Sequence, residues 1–366
     1  MFVFMTVVIV FVLDPSTVSA GEKSTSRYRW IRNQFPLTDQ RIFYPVRVGE
    51  VLNHRYQIVG KLGYGSSATV WLCRDLFGHG YVTITISTAA ETSTVNQEFE
   101  IYNHLKTIRS HHAGLSCLRS LNVIFDIRNR VHHGVHNCLV HPPLGMSLDN
   151  LNRLLPGGVI SSAMVRTTIR NILAALGYLH MEARVVHTDI QPNNILLGIK
   201  DESILEDFEQ VELEAPVPRK ALQDRTIYVS RPLPISYGTP VLCDLGEARI
   251  EIEHQKGDIM PHIYRAPEVI LDMSWDYKVD IGNVGMLIWD LFEHHHLFHA
   301  RDKNRKLNDE MHLTEMHAVL GKPPPEFLAR SKGSFILWDE DGHWKGSVAL
   351  PGHKFKTLEE RLKGDE

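Results

Sequence analysis

The run Val186-His187-Thr188-Asp189-Ile190-Gln191-Pro192-Asn193-Asn194-Ile195-Leu196-Leu197 restricts what this chain can become more than any other stretch. It sets one carboxylate, Asp189, and one amide, Asn194, five residues apart between two apolar runs. A carboxylate so held can accept a proton from a hydroxyl, and the amide can hold a metal ion beside it. A second carboxylate stands in Asp244-Leu245-Gly246, after the short apolar run 240–243, with a glycine that lets the chain turn sharply.

Upstream, 56–62 and 69–74 are rich in Val, Ile, Trp and Leu. They read as a strand pair joined by the glycine-bearing turn Gly63-Tyr64-Gly65-Ser66-Ser67-Ala68, with a third strand at 81–86. Taken alone, a G-x-G between strands describes an ordinary hairpin equally well. Its place about 125 residues before His187 carries more weight. Phe99, Tyr102, Leu105 and Ile108 form a helical stripe over 98–108. Strand-like runs at 121–126 and 137–141 lead into Pro142-Pro143-Leu144-Gly145, which reads as a hinge. Beyond it the pattern turns helical, over 147–155 and then along Val165, Ile169, Ile172, Leu173, Leu176 and Leu179.

Composition excludes several classes. With 366 residues and 43% hydrophobic content, the chain can build one large or two modest cores. A net charge of -4 gives no basic excess for direct nucleic-acid binding. Cys73, Cys117, Cys138 and Cys243 make no CxxC pair, which suggests neither a zinc site nor a disulfide framework and fits a reducing compartment. The apolar run 1–13, followed by Val18-Ser19-Ala20, reads either as a signal peptide (1–20) or as a stretch with no place in the fold. It is too short to span a bilayer, no Lys or Arg precedes it, and the chain has no N-x-Ser/Thr sequon.

Read together, the glycine turn, His187-Thr188-Asp189 with Asn194, Asp244-Leu245-Gly246 and Ala266-Pro267-Glu268 stand in the order and spacing of the eukaryotic protein kinases, which this chain resembles. Finer wording narrows the resemblance: Val48-Gly49-Glu50, His187-Thr188-Asp189, Asp244-Leu245-Gly246 and Tyr264-Arg265-Ala266-Pro267-Glu268-Val269-Ile270-Leu271 look like the kinases of serine/arginine-rich splicing proteins, closest to the fungal members. The likeness runs from about residue 44 to 366. It implies an α+β, two-lobed kinase-like fold. An irregular lead-in (21–50) precedes a small β-rich lobe (51–141) and a larger, mainly helical lobe (142–366) that ends before the usual final helices. Within the large lobe, 198–240 forms an acidic insertion.

The resemblance also implies ATP and Mg2+ as cofactors and Arg/Ser-rich proteins as partners, with neither nucleic acid nor membrane expected and a location in cytoplasm and nucleus, or in the secretory pathway if 1–20 is a signal peptide. It makes Asp189 the catalytic base and Asn194 and Asp244 the metal ligands. Leu62, Gly63, Gly65, Val70, Thr83, Thr85, Glu98 and Leu144 would line the nucleotide site, with adenine bonded by the Pro142 carbonyl and the Leu144 N–H. The insertion, holding Asp201, Glu202, Glu206, Asp207, Glu209, Glu212 and Glu214, reads as a solvated loop or as an acidic surface for a basic substrate.

Five departures from the pattern stand out. Thr85 stands where the third strand should offer a lysine, leaving Glu98 without its cation, and Gln191 replaces a lysine two residues after Asp189. Gly282 takes the place of a buried tryptophan, and Glu268 loses an arginine partner from the missing end. Thr188 cannot pair with a phosphate on the activation segment, and 245–265 contains no Ser or Thr to carry one. The chain therefore reads as a kinase that needs no activation-loop phosphate. A pseudokinase scaffold or a truncated gene product stand as rival readings. The histidines at 294, 295, 296 and 299 define no preformed metal geometry, and Cys243 reads as an apolar filler.

Overall fold

The strand-forming runs close into one six-stranded antiparallel sheet. In the computed structural model, described for residues 43–350 apart from 90–92, 129–133, 156–157, 159, 252–253 and 294, its strands are β1 (Val51–Leu52), β2 (Tyr56–Tyr64), β3 (Ala68–Asp75), β4 (Gly80–Ser87), β5 (Val123–Arg128) and β6 (Val135–His141). Their order is β1-β2-β3-β4-β6-β5. The period-two alternation gives the sheet two unlike faces. On the outer face Tyr56, Ile58, Trp71, Cys73, Ile84 and Val140 form a core. On the inner face Val70 pairs with Thr85, which pairs with Leu139, while Leu72 pairs with Thr83 and Thr83 with His141.

Packing begins earlier than Val51. Tyr44, Val46 and Val48 cover the outer face, with Val46 fully buried, so the end of the expected lead-in belongs to the small lobe. Its alternation of apolar residues, masked by prolines and arginines, is the reason. Helix α1 (Ser93–Thr107) starts before the expected 98 and buries Ile101 and Tyr102 against the large-lobe core.

That core is built around α3 (Ser162–Tyr178), which follows α2 (Leu148–Leu154). Each helix is capped by a serine hydroxyl, Ser147 accepting from the Asn150 N–H and Ser161 from the Met164 N–H. Val165, Thr168, Ile172, Ala175, Leu176 and Tyr178 make the buried stripe of α3. The chain then lays down β7 (Val185–Val186) and β8 (Ile195–Leu197), and later β11 (Pro240–Leu242) and β12 (Arg249–Ile250) pair with β8 and β7 respectively.

Between β8 and β11 the insertion is neither a solvated loop nor wholly an acidic surface. It forms α4 (Ser203–Glu214) and the hairpin β9 (Arg219–Ala221) with β10 (Thr226–Tyr228). Leu205 and Phe208 pack with Val59, Leu72 and Leu233. Two of its acids turn inward: Glu209 accepts from Arg74 at 2.5 Å and from the Tyr81 hydroxyl, and Glu212 accepts from Arg231 at 2.8 Å and from the Val217 N–H at 3.0 Å. Asp201, Glu202, Glu206, Asp207 and Glu214 stay exposed.

Three further helices, α5 (Pro267–Ile270), α6 (Lys278–Glu293) and α7 (Asp309–Leu320), complete the described large lobe together with short turns of helix beyond them. Gly282 lies on the exposed side of α6, where an added Cβ meets nothing within 4 Å. The packing loss expected there reduces to helix propensity, about 1 kcal/mol. The histidine cluster scatters: the His295 ring bonds the Glu293 carbonyl, the His296 ring bonds Asp290, and His299 donates its backbone N–H to Glu315. His294 lies outside the described residues. Among the described residues no helix is long and apolar enough to cross a membrane.

Candidate active site

The loop from His187 to Asn194 leaves β7 and returns as β8, so both of its ends are fixed by strand pairing. A buried carboxylate holds it from below. Asp280, in the first turn of α6, accepts from the backbone N–H groups of His187 and Thr188, both at 2.8 Å, and lies 2.7 Å from Nε2 of His180. A fully buried carboxylate persists only when its oxygens are satisfied in this way. Its one signal in the sequence is a charge opening a run otherwise made for burial. His187, also buried, donates from Nε2 to the Cys243 carbonyl at 3.1 Å and accepts the Asp189 N–H at Nδ1 at 3.3 Å.

Asp189 is half-buried and both of its oxygens are engaged. Gln191 Nε2 donates to Oδ1 and Asn194 Nδ2 to Oδ2, each at 2.7 Å, and Asn194 Nδ2 also reaches the Asp189 carbonyl at 2.9 Å. Burial raises the Asp189 carboxyl above its ordinary value, while Gln191, His187 and Asn194 oppose that shift. Each carboxylate oxygen keeps a second lone-pair site, so acceptance of a hydroxyl proton remains open. Because the Asn194 amide nitrogen is spent on Asp189, its carbonyl oxygen is the end left to act as a metal ligand.

Asp244 follows β11 at φ +66, an uncommon angle for a non-glycine residue that Asp tolerates well. It is exposed, and its Oδ1 accepts the Gly246 N–H at 3.1 Å. The next side chain, Leu245, is fully buried in the large-lobe core with Ile101 and Tyr102 of α1. Glu98 of α1 reaches the same place. Burial and the Asp244 carboxylate push its carboxyl up to about 7, against the pull of Arg119 and of the Leu245 N–H. The Asp244 carboxylate and the Asn194 amide oxygen are hard oxygen donors of the kind Mg2+ takes.

The residues expected around a nucleotide lie on the inner face of the sheet and the hinge. Leu62 is half-buried against Val59, Leu72 and Leu233. An added Cβ at Gly63 or Gly65 meets nothing within 4 Å, so packing inside the protein does not demand their lack of a side chain. Thr83 is 2% exposed and its hydroxyl has no partner, an orphan polar atom facing the inner side between Leu72 and His141 in the sheet register. Leu144 stands between β6 and α2, in a hinge pinned by Gly145 N–H to the Leu197 carbonyl at 2.7 Å and Leu197 N–H to the Met146 carbonyl at 3.0 Å. The single lysine of β2 to β4, Lys61, is paired with Trp71 and turned to the outer face, where burial lowers its ammonium to about 8. It does not stand in for a lysine at Thr85.

A model of the protein kinase domain matches residues 56–223. A serine/threonine protein kinase of Aspergillus fumigatus is 41% identical over 337 residues, covering 91% of this chain and 81% of that protein. This chain belongs to the serine/threonine protein kinases. Within them, the serine/threonine-protein kinase SRPK of Physarum polycephalum is 28% identical over 326 residues (83% of this chain, 75% of that one), and the human SRSF protein kinase 3 is 32% identical over 189 residues (49% and 32%). Its kinase fold also explains how the segment after Asp244 is ordered. Thr188, at φ +65, donates its hydroxyl to the Glu247 carbonyl at 2.7 Å, β12 pairs with β7, and Gln255 and Trp275 exchange backbone bonds of 3.1 and 2.9 Å.

Proposed function

We propose that this kinase transfers the γ-phosphoryl group of ATP, bound with Mg2+, to serine hydroxyls in Arg/Ser-rich proteins. Asp189 would accept the proton of the attacking hydroxyl, Asn194 and Asp244 would hold the metal, and Gly63, Gly65, Val70, Thr83 and Leu144 would line the nucleotide. The bound metal nucleotide supplies the charge neutralisation and the transferable group; the protein supplies position and the proton acceptor. What supports this reading most is the convergence of Asp189 and Asn194 on one loop, hydrogen-bonded to each other and anchored by Asp280. The substrate class rests on the likeness to the kinases named for SR proteins, and the exposed acids of the insertion suit a basic substrate. Cytoplasm and nucleus go with that substrate.

A second reading, a pseudokinase that binds nucleotide or a basic partner without transfer, is favoured by Thr85 and Gln191. One assay separates the two: incorporation of labelled phosphate from Mg-ATP into an Arg/Ser-repeat peptide, with Asp189→Asn as the blank and Thr85→Lys beside it. Transfer above the blank by the native chain supports the kinase. Transfer by Thr85→Lys alone supports the scaffold.

A further inference from the structure

We propose that the segment 231–239, by which the insertion returns to the large lobe, is a strap that holds the hinge, with Ser236 as a positioning residue for the backbone of Leu144. The inference rests on the kinase reading of Leu144 as a nucleotide contact. The strap is bonded at both ends. At the small lobe the Arg231 N–H donates to the Lys61 carbonyl at 2.8 Å, next to Leu62, and the Arg231 guanidinium donates to Glu212 of α4 at 2.8 Å. At the large lobe the Gly238 N–H donates to the Gly198 carbonyl at 3.0 Å and the Gly198 N–H to the Thr239 carbonyl at 2.9 Å. A Cβ on Gly238 would come within 2.2 Å of the Gly198 carbonyl carbon, so this approach needs a glycine. Between the ends, Leu233 is buried with Val59 and Leu72 of the sheet, while Ile235 packs against the large-lobe core. Pro232 and Pro234 stiffen the crossing and leave no N–H of their own unbonded.

Ser236 sits where the crossing passes the hinge. It is 5% exposed, and its Oγ stands where a side chain on Gly145 would begin, since a Cβ there would lie 2.0 Å from it. The same Cβ would lie 3.2 Å from the Leu197 carbonyl oxygen, which accepts the Gly145 N–H at 2.7 Å. Gly145 is thus enclosed by β8 and the strap, one residue after Leu144. The Ser236 hydroxyl has no hydrogen-bond partner. A buried hydroxyl without a bond costs stability, so this one is kept for the space it fills over the hinge. The hinge backbone cannot shift toward the strap without displacing Ser236, and the position of the Leu144 N–H is set from outside the site.

The test compares the full chain as wild type, Ser236→Gly, Gly145→Ala, and Gly145→Ala with Ser236→Gly. Two quantities are read: amide exchange without nucleotide, and affinity for Mg-ATP and for adenosine by calorimetry. Ser236→Gly is expected to speed exchange of the Gly145 and Leu197 amides about tenfold while α3 stays as in wild type. Gly145→Ala forces Ser236 off the hinge and should weaken Mg-ATP and adenosine by the same factor, about tenfold, because the disturbed contact is at the base end. Adding Ser236→Gly clears the space the new methyl needs and should bring both affinities to within about twofold of Ser236→Gly alone. Unchanged exchange in Ser236→Gly, a loss for Mg-ATP that adenosine does not share, or a Gly145→Ala loss that Ser236→Gly does not relieve overturns the proposal. Should Gly145→Ala fail to fold, folding of the double variant supports the contact and its failure overturns it. If the wild type binds neither Mg-ATP nor adenosine, the kinase reading fails by itself, and exchange at Gly145 and Leu197 then decides the strap: faster in Ser236→Gly supports it and unchanged overturns it.

Discussion

At the scale of single residues, the site is a set of carboxylates whose surroundings decide what each can do. Asp189 is flanked by two amide donors, Asn194 and, where kinases of this pattern offer a lysine, Gln191, so its position is secured without a positive side chain. Gln191→Lys should therefore raise the transfer rate by at least about tenfold, a typical worth for one charged contact to developing charge; a rate equal to wild type in the peptide assay would show that the charge is not missed. Asp280→Ala strands three buried donors at once, and should cost about 3–5 kcal/mol in a denaturant melt. A loss under about 1 kcal/mol would mean that water replaces the carboxylate. Glu98 adds a pH signature. Its folded value, about 7, lies above its ordinary 4.5, so the folded chain keeps a proton that the unfolded chain releases. This stabilisation is complete below about 4.5 and is lost as pH rises through about 7. Glu98→Gln should flatten the melting temperature across that window, and an unchanged slope would assign it to another group.

At the scale of elements, the insertion is the part whose physical role changes most between sequence and structure. Its acids suggest solvent, yet Leu205, Phe208 and Glu212 lie on one face of α4 and dock it on β2 and β3. Gly60 is required there, because a Cβ would come within 2.9 Å of the Phe208 ring. Phe208→Ala should cost about 3 kcal/mol and should speed amide exchange in β2 as well as in α4. Exchange confined to α4 would mean that the helix is an appendage. The helix was hidden in the sequence because a half-buried helix with acids along its open face has the composition of a solvated loop. On α6, Gly282→Ala should stabilise by about 0.5–1 kcal/mol, since the added methyl meets open space and the helix gains propensity. A destabilised Gly282→Ala in the same melt would mean that the position is needed open.

At the scale of the whole molecule, two lobes are joined by more than the hinge. The insertion leaves the large lobe at β8, crosses to the sheet and returns at β11, while α1 is tied to the segment after Asp244 by Gln97, which donates to the Ala248 carbonyl. The same segment is bonded to β7 and to Thr188 without a charged group. Phosphatase treatment should accordingly leave both transfer and Mg-ATP affinity unchanged, and Tyr264→Phe, which removes a buried hydroxyl bonded to Asp290, should act on stability without introducing a dependence on phosphorylation. A fall in activity after phosphatase would show that a phosphate elsewhere does the ordering.

The sequence by itself determined the family and its fold, and put Asp189, Asn194 and Asp244 forward as site residues, because those residues sit in short motifs whose neighbours in the chain are also their neighbours in space. It also located the two lost lysines, since an absence at a fixed position needs no fold to be read. Only the tertiary structure decided what holds the Asp189 loop and the insertion in place. Asp280 reaches His187 across 93 residues of chain, and Glu209 reaches Arg74 across 135. Such pairings depend on which faces of distant elements are pressed together, and that is set by burial of the whole core.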